Sequence, residues 1–230
     1  MKRGDGGGQV KLVQEWLSLH DERVAIDGDF GPATEAAVQA FQGRVSLPAT
    51  GVVDQSTFSH LIAPMVKALQ ALPVAGRSLG ELVVAYARQH LDQHPVEVGG
   101  QNKGPWVRLY MDGHEGDAWP WCAGFACFCL KQACGSLGRN LPVAPSFSVD
   151  ELAASAKSKG CFVGREEIGP GGLFLVRSTP TDWTHTGIVV ATDTELFRTI
   201  EGNTNDDGSR EGYEVCARRR GYQKMDFIKI

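Results

Sequence analysis

Trp119-Pro120-Trp121-Cys122-Ala123-Gly124-Phe125-Ala126-Cys127-Phe128-Cys129-Leu130-Lys131-Gln132-Ala133 decides how the chain is read. After the Trp-Pro-Trp entry it is apolar almost throughout, long enough for a helix buried in a core, with Gly135 placed to end it. Cys122 opens that helix. A thiol at a helix N-terminus feels the positive end of the peptide dipoles, and neighbouring N–H groups favour the thiolate, so Cys122 is a candidate nucleophile. Cys127, Cys129 and Cys134 lack the paired spacing of a zinc site. They sit among Phe125, Ala126, Phe128 and Leu130, where cysteine serves as a small apolar residue.

Downstream the pattern turns strand-like over residues 172–176, 186–191, 196–201 and 213–218, with Gly, Pro, Asn and Asp between them. Helices first and strands after them predict an α+β domain, with an antiparallel sheet packed on the helices. A nucleophilic thiol needs a base. His185, in Asp182-Trp183-Thr184-His185-Thr186-Gly187-Ile188-Val189-Val190, stands at the entry to an apolar strand that can aim it. The imidazole needs an acceptor for its second nitrogen, and Thr199-Ile200-Glu201-Gly202-Asn203 ends the next strand with two polar groups. Strand alternation puts Glu201 and Asn203 on one face. Glu201 is the preferred orienter, because a carboxylate also stabilises an imidazolium. Asn203 is assigned to support or substrate polarisation.

Upstream, Ser78 caps a predicted helix whose apolar face is Leu79, Leu82, Val83, Tyr86 and Ala87, ending before Pro95. His90 and His94 lie one turn apart there without an HExxH pattern or third ligand, and a favourable charge at a helix C-terminus is the reading adopted. Residues 98–106 are too rich in glycine and proline for a regular element and are predicted as a long loop. Asp112, Glu115 and Asp117 read as a solvated acidic loop and not as a calcium site.

The first sixty residues have a different organisation. Val10, Val13 and Leu17 interleave with Leu12, Trp16 and Leu19 at helical spacing. After the turn Asp27-Gly28-Asp29-Phe30-Gly31-Pro32, Pro32 suits the first position of a second helix carrying Ala36, Ala37, Ala40 and Phe41, which Gly43 stops. Residues 47–54 repeat the logic, and Asp54 caps a short third helix through Leu61. The predicted domains are residues 1–62, a linker or short connecting helix at 63–76, and residues 77–230.

Composition excludes several classes. Of 230 residues, 42% are hydrophobic and 22% charged, near the globular average, which argues against extensive disorder. The net charge of -4 opposes general attraction to phosphate, so nucleic acid is not an expected partner. Arg218-Arg219-Arg220 reads as a solvated strand end with no role. No apolar run approaches the ~20 residues of a spanning helix, so membrane insertion is not expected. Residues 1–8 lack the apolar core of a secretory signal, which gives an expectation of synthesis in the cytoplasm without a signal peptide. All six cysteines fall in the second half, and reduced thiols are expected.

Two resemblances follow from these residues. Ile26-Asp27-Gly28-Asp29-Phe30-Gly31-Pro32, Thr34, Ala37-Val38 and Phe41-Gln42, followed by Leu47-Pro48 and Gly51-Val52-Val53, resemble the three-helix peptidoglycan-binding domain over residues 4–62. Trp121-Cys122-Ala123-Gly124-Phe125, then His185-Thr186-Gly187-Ile188-Val189, then Glu201-Gly202-Asn203, resemble the CHAP family of cysteine, histidine-dependent amidohydrolases and peptidases over residues 78–230. NlpC/P60 peptidases are related but use a histidine as third polar group, and none follows His185. The CHAP resemblance implies a papain-like domain with Cys122 as nucleophile, His185 as base then acid, Glu201 as orienter and Asn203 as accessory. Trp121, standing where papain has a glutamine, and Trp183 are expected at the substrate. Gly171-Gly172 stands where the family commonly has Gly-Asp.

Together the resemblances imply hydrolysis of amide bonds in bacterial peptidoglycan without metal or organic cofactor. The wall would be reached after release, as by a phage endolysin, or after injection, as by an antibacterial effector, which would add an immunity protein as partner. A noncatalytic wall-binding protein on an inert papain-like scaffold and a papain-like acyltransferase or deamidase remain alternatives. So does a bundle that merely packs on its neighbour.

Overall fold

The computed structural model describes residues 1–205 and 212–230. The N-terminal unit contains helices α1 (Gly8–Leu19), α2 (Pro32–Arg44) and α3 (Gln55–Leu61). Val10, Val13, Trp16, Leu17, Phe30, Val38, Phe41 and Leu61 close its core at 2% exposure or less. Asp54 caps α3 as expected, accepting from the Thr57 N–H at 2.7 Å. Two buried glutamines carry the turns. Gln14 donates to Asp27 Oδ1 at 2.8 Å and accepts from the Gly28 N–H at 2.8 Å, and Gln42 donates to the Val52 carbonyl at 2.9 Å and accepts from the Gly51 N–H at 3.0 Å. Each amide thus pairs turn backbone that would otherwise be buried unpaired.

Where a linker or connecting helix was expected, α4 (Ala63–Ala68) forms. Helix α5 (Leu79–Leu91) follows, started by a capping box in which Ser78 and Glu81 each bond the other's backbone N–H. The expected loop at 98–106 gives way at Pro105 to α6 (Pro105–Tyr110), because proline at the first helical position offsets the disorder that its glycine neighbours suggest. Helix α7 (Cys122–Leu137) starts where expected but runs past Gly135. Gly138, at φ 63°, ends it in the left-handed conformation instead.

Helix α8 (Val149–Ser158) and strands β1 (Phe162–Val163) and β6 (Met225–Ile228) were not foreseen. Strands β2 (Leu173–Thr179), β3 (Asp182–Thr192), β4 (Leu196–Thr204) and β5 (Glu214–Gly221) match the four predicted ones. The six strands form one antiparallel sheet in the order β1-β6-β2-β3-β4-β5, so the α+β architecture holds. Leu173, Leu175, Ile188, Ile200 and Ile228 join the main core with α5, α7 and α8, while Phe174, Val189, Phe197 and Phe227 form a second apolar cluster with Ile168.

The two units are docked. Glu15 of α1, buried to 3% at its side chain, takes a forked pair of bonds from Arg108 of α6, at 3.2 Å and 2.5 Å. Arg108 also holds Glu115 at 2.6 Å, so the acidic loop is not wholly solvated as expected. Trp16 meets Trp106 edge to face with centroids 6.1 Å apart. Glu15→Gln leaves the guanidinium short of one charge partner but still bound to Glu115, so a loss of about 1–2 kcal/mol is expected from the urea midpoint. An unchanged midpoint would mean the docking contact carries no stability.

His90, expected as a favourable charge at the helix C-terminus, is fully buried. It bonds Tyr110 Oη at 2.9 Å and Gln132 Oε1 at 2.8 Å, and burial lowers its pKa to about 4 against a smaller opposing effect of Gln132. Between pH 6.5 and about 4 the unfolded chain therefore takes a proton that the folded chain refuses. Stability present above pH 6.5 is lost as pH falls through that window, by about 2–3 kcal/mol. His90→Gln should flatten that slope in urea titrations at pH 7, 6 and 5; a slope as steep as wild type would show that other groups cause it.

Candidate active site

Cys122, His185 and Glu201 come from three elements and meet. Cys122, 5% exposed at the first residue of α7, lies in the wall of a groove of about 770 Å³ lined also by Trp119, Phe147, Lys131, Asp182 and Trp183. His185 sits on β3, four residues into the strand and not at its entry as expected. Its Nε2 bonds Glu201 Oε2 at 2.9 Å, which leaves Nδ1 for the thiol of Cys122. Burial pushes the thiol up, but hydrogen bonding and charge from His185 outweigh it. With the N–H groups of Thr186 and Ala123 they leave Cys122 below the ordinary thiol value.

The same contacts act on the partners. Burial opposes protonation of His185, yet its bonds to Cys122 and Glu201 raise it to about 9. Burial opposes ionisation of Glu201, yet Arg220 and His185 hold it down to about 2. Glu201 is 0% exposed and also accepts from Thr199 Oγ1 at 2.5 Å and from Arg220 Nε at 2.6 Å and Nη2 at 2.5 Å. The basic run is therefore not simply a solvated strand end. Arg220 turns inward onto Glu201, and Arg218 bonds Thr204 and the Asn205 carbonyl. Sequence reasoning missed Arg220 and Thr199, since Arg220 stands opposite Phe197 in the β4–β5 ladder and reaches Glu201 only through its long side chain. The spacing of Arg218 and Arg220 at period two was the available signal.

Asn203 does not share the role of Glu201. The β4–β5 ladder is irregular between Glu201 and Thr204, and Asn203 has φ 53°, so the assumed alternation breaks there. Its Oδ1 accepts from the Trp121 N–H at 2.8 Å and its amide donates to the Gly212 carbonyl at 2.7 Å. It thus ties the end of β4 to the start of α7. Trp121 is not at the groove surface. It is 0% exposed, stacked on Tyr110 at 5.5 Å, and donates to Glu97 at 2.8 Å, so a substrate contact is replaced by a structural one. Trp183 lines the groove but is 6% exposed, with Nε1 on Asp226 and Lys157 over its ring.

Glycines make the close fit. A Cβ on Gly187 would stand 2.8 Å from Glu201 Cγ, and one on Gly202 would stand 2.7 Å from Phe125 Cβ and 2.8 Å from Trp121. Cys127, Cys129 and Cys134 are buried packing groups as expected. Burial pushes Cys127 up to about 11 and Cys129 higher still. Among the described residues no cluster of three or more His, Cys, Asp or Glu is arranged to hold a metal ion.

Comparison with known proteins bears on the bundle. Residues 6–61 match the peptidoglycan binding domain family. A protein of Streptomyces albus G named zinc D-Ala-D-Ala carboxypeptidase is 51% identical over 64 residues, 26% of this chain and 25% of that protein. The chain therefore spans about a quarter of that relative's length. The peptidoglycan-binding domain is not loosely tethered: through Glu15 and Trp16 it rests on α6, whose Tyr110 lies under Trp121 at the start of α7.

If Asn203 and Gly202 seat the helix start, Asn203→Ala and Gly202→Ala should each cost about 1–3 kcal/mol, from an unpaired N–H and a steric clash respectively. Chemical denaturation checks this, and losses below about 0.5 kcal/mol in both would show that α7 is held otherwise.

Proposed function

We propose that this chain is a peptidoglycan hydrolase that cleaves an amide bond of the bacterial cell wall through Cys122, His185 and Glu201. The observation that carries the reading is an imidazole held by a buried carboxylate, acting on a thiol at the start of α7 in the wall of a groove, in a chain that also has a peptidoglycan-binding domain. The CHAP resemblance of the sequence supports the same assignment.

In the proposed reaction the Cys122 thiolate adds to the amide carbonyl carbon, and negative charge develops on the carbonyl oxygen. In this reading the backbone N–H of Cys122, at the first residue of α7, stabilises that oxygen, an effect of roughly 3 kcal/mol for a fixed donor. The imidazolium of His185 gives its proton to the departing nitrogen as the C–N bond breaks, leaving a thioester on Cys122 and a free amine. Neutral His185 then takes a proton from water. The hydroxide adds to the thioester, the C–S bond breaks, and a carboxylic acid leaves as the thiolate–imidazolium pair returns. Glu201 holds the ring orientation and stabilises its charged form throughout.

The bond cut either joins muramic acid to alanine or lies in the stem peptide or cross-bridge. The substrate would be met after the protein is released or injected, and an effector role would add an immunity protein. Cys122→Ala should fold and still sediment with purified peptidoglycan while losing more than about 10⁴-fold in hydrolysis. Mass spectrometry of released fragments identifies the bond, and continued release by that variant would remove the mechanism. Because His185 must carry a proton to expel the amine, hydrolysis should fall as pH rises through about 9. A rate still climbing at pH 10 would contradict that role.

A further inference from the structure

We propose that Arg220 is a positioning and charge-balancing residue that lets Cys122 remain a thiolate while His185 remains an imidazolium. The proposal rests on the cysteine-hydrolase reading above and follows from counting charges in a closed cluster. Glu201 has each oxygen doubly engaged, Oε1 by Thr199 and Arg220, Oε2 by Arg220 and His185, and it is 0% exposed. The side chains of His185 and Arg220 are 12% and 20% exposed, and Cys122 is 5% exposed. In so dry a setting an unbalanced charge is costly, and a group gives up its ionised form before the cluster carries one.

With Arg220 present, guanidinium and carboxylate cancel, and imidazolium and thiolate are left to cancel each other. Without it the carboxylate cancels the imidazolium, the thiolate would stand alone, and Cys122 takes up a proton instead. The neighbours do not replace Arg220. Arg218, opposite Thr199 in the ladder, bonds Thr204 and the Asn205 carbonyl, and the residue opposite Glu201 is Cys216. On β2 the Phe174 ring faces Arg220, its centroid 5.0 Å from the guanidinium carbon. From α7 comes Cys127, whose thiol burial keeps protonated. On the groove side Asp150 accepts from the Trp183 N–H, Glu151 accepts from the Ser146 hydroxyl, Lys131 is exposed beside Asp112, and Asp182 is half-buried.

The test is the pH dependence of Cys122 alkylation by iodoacetamide, followed by mass spectrometry in the full chain, with Cys122→Ala to identify the reacting site. Wild type should react with a midpoint below the ~8.5 of an ordinary thiol. Arg220→Met should raise that midpoint by at least one pH unit and slow alkylation at pH 7 about tenfold, while Arg220→Lys, which keeps the charge, should stay nearer wild type. Arg220→Gln, neutral but able to donate to Glu201, repeats the test if Arg220→Met fails to fold. Glu201→Gln combined with Arg220→Met removes both cancelling charges and should bring the midpoint back down. A merely structural arginine would lower the melting temperature and leave the midpoint in place, and that result, or a double variant no lower than Arg220→Met, overturns the proposal. A wild-type Cys122 with the rate and midpoint of an ordinary thiol overturns the hydrolase reading as well.

Discussion

The carboxylate of Glu201 is buried completely, and no carboxylate stays ionised there unless nearly every lone pair is met. Thr199 from its own strand, Arg220 from β5 and His185 from β3 meet them. This requirement fixes much else. It demands glycine at 187 so that the Glu201 stem can cross β3, and it fixes which imidazole nitrogen is left for Cys122.

The other half of the site is the start of α7. That helix has no side-chain cap of its own at Trp121. Asn203 supplies the acceptor from the end of β4, two residues beyond Glu201, while Gly202 lets Phe125 and Trp121 come down onto the strand. One short segment of β4 therefore orients the base with one residue, admits the helix with the next and anchors its first turn with the third. The same three positions thus bear on both the helix that carries the thiol and the imidazole.

How much of this was legible in sequence depended on whether the cause was local. Capping residues, helical spacing and apolar runs marked α1, α2, α3, α5, α7 and strands β2, β3, β4 and β5, and a thiol before an apolar helix pointed to Cys122. Strands β1 and β6 are short and are defined by pairing, β6 with β1 and β2, which no local pattern reveals. Arg220 looked like surface charge because its partner lies on another strand. Trp121 looked like a substrate contact because an aromatic beside a nucleophile reads that way, whereas its indole N–H finds Glu97 inside the core. Alternation misplaced Asn203 because a left-handed residue interrupts the strand.

The peptidoglycan-binding domain and the proposed catalytic groove share one packed body through Glu15, Trp16 and α6, so a wall strand bound by the first would meet the second at a fixed distance. The account stands or falls on the charge state of His185. Nitrogen NMR of the labelled ring, compared between wild type and Cys122→Ala, measures it directly. The account predicts an imidazolium with both ring nitrogens protonated at pH 7.5, titrating near 9 in wild type and lower once the thiolate is removed. A neutral ring at pH 7.5, unaltered by loss of Cys122, would contradict it.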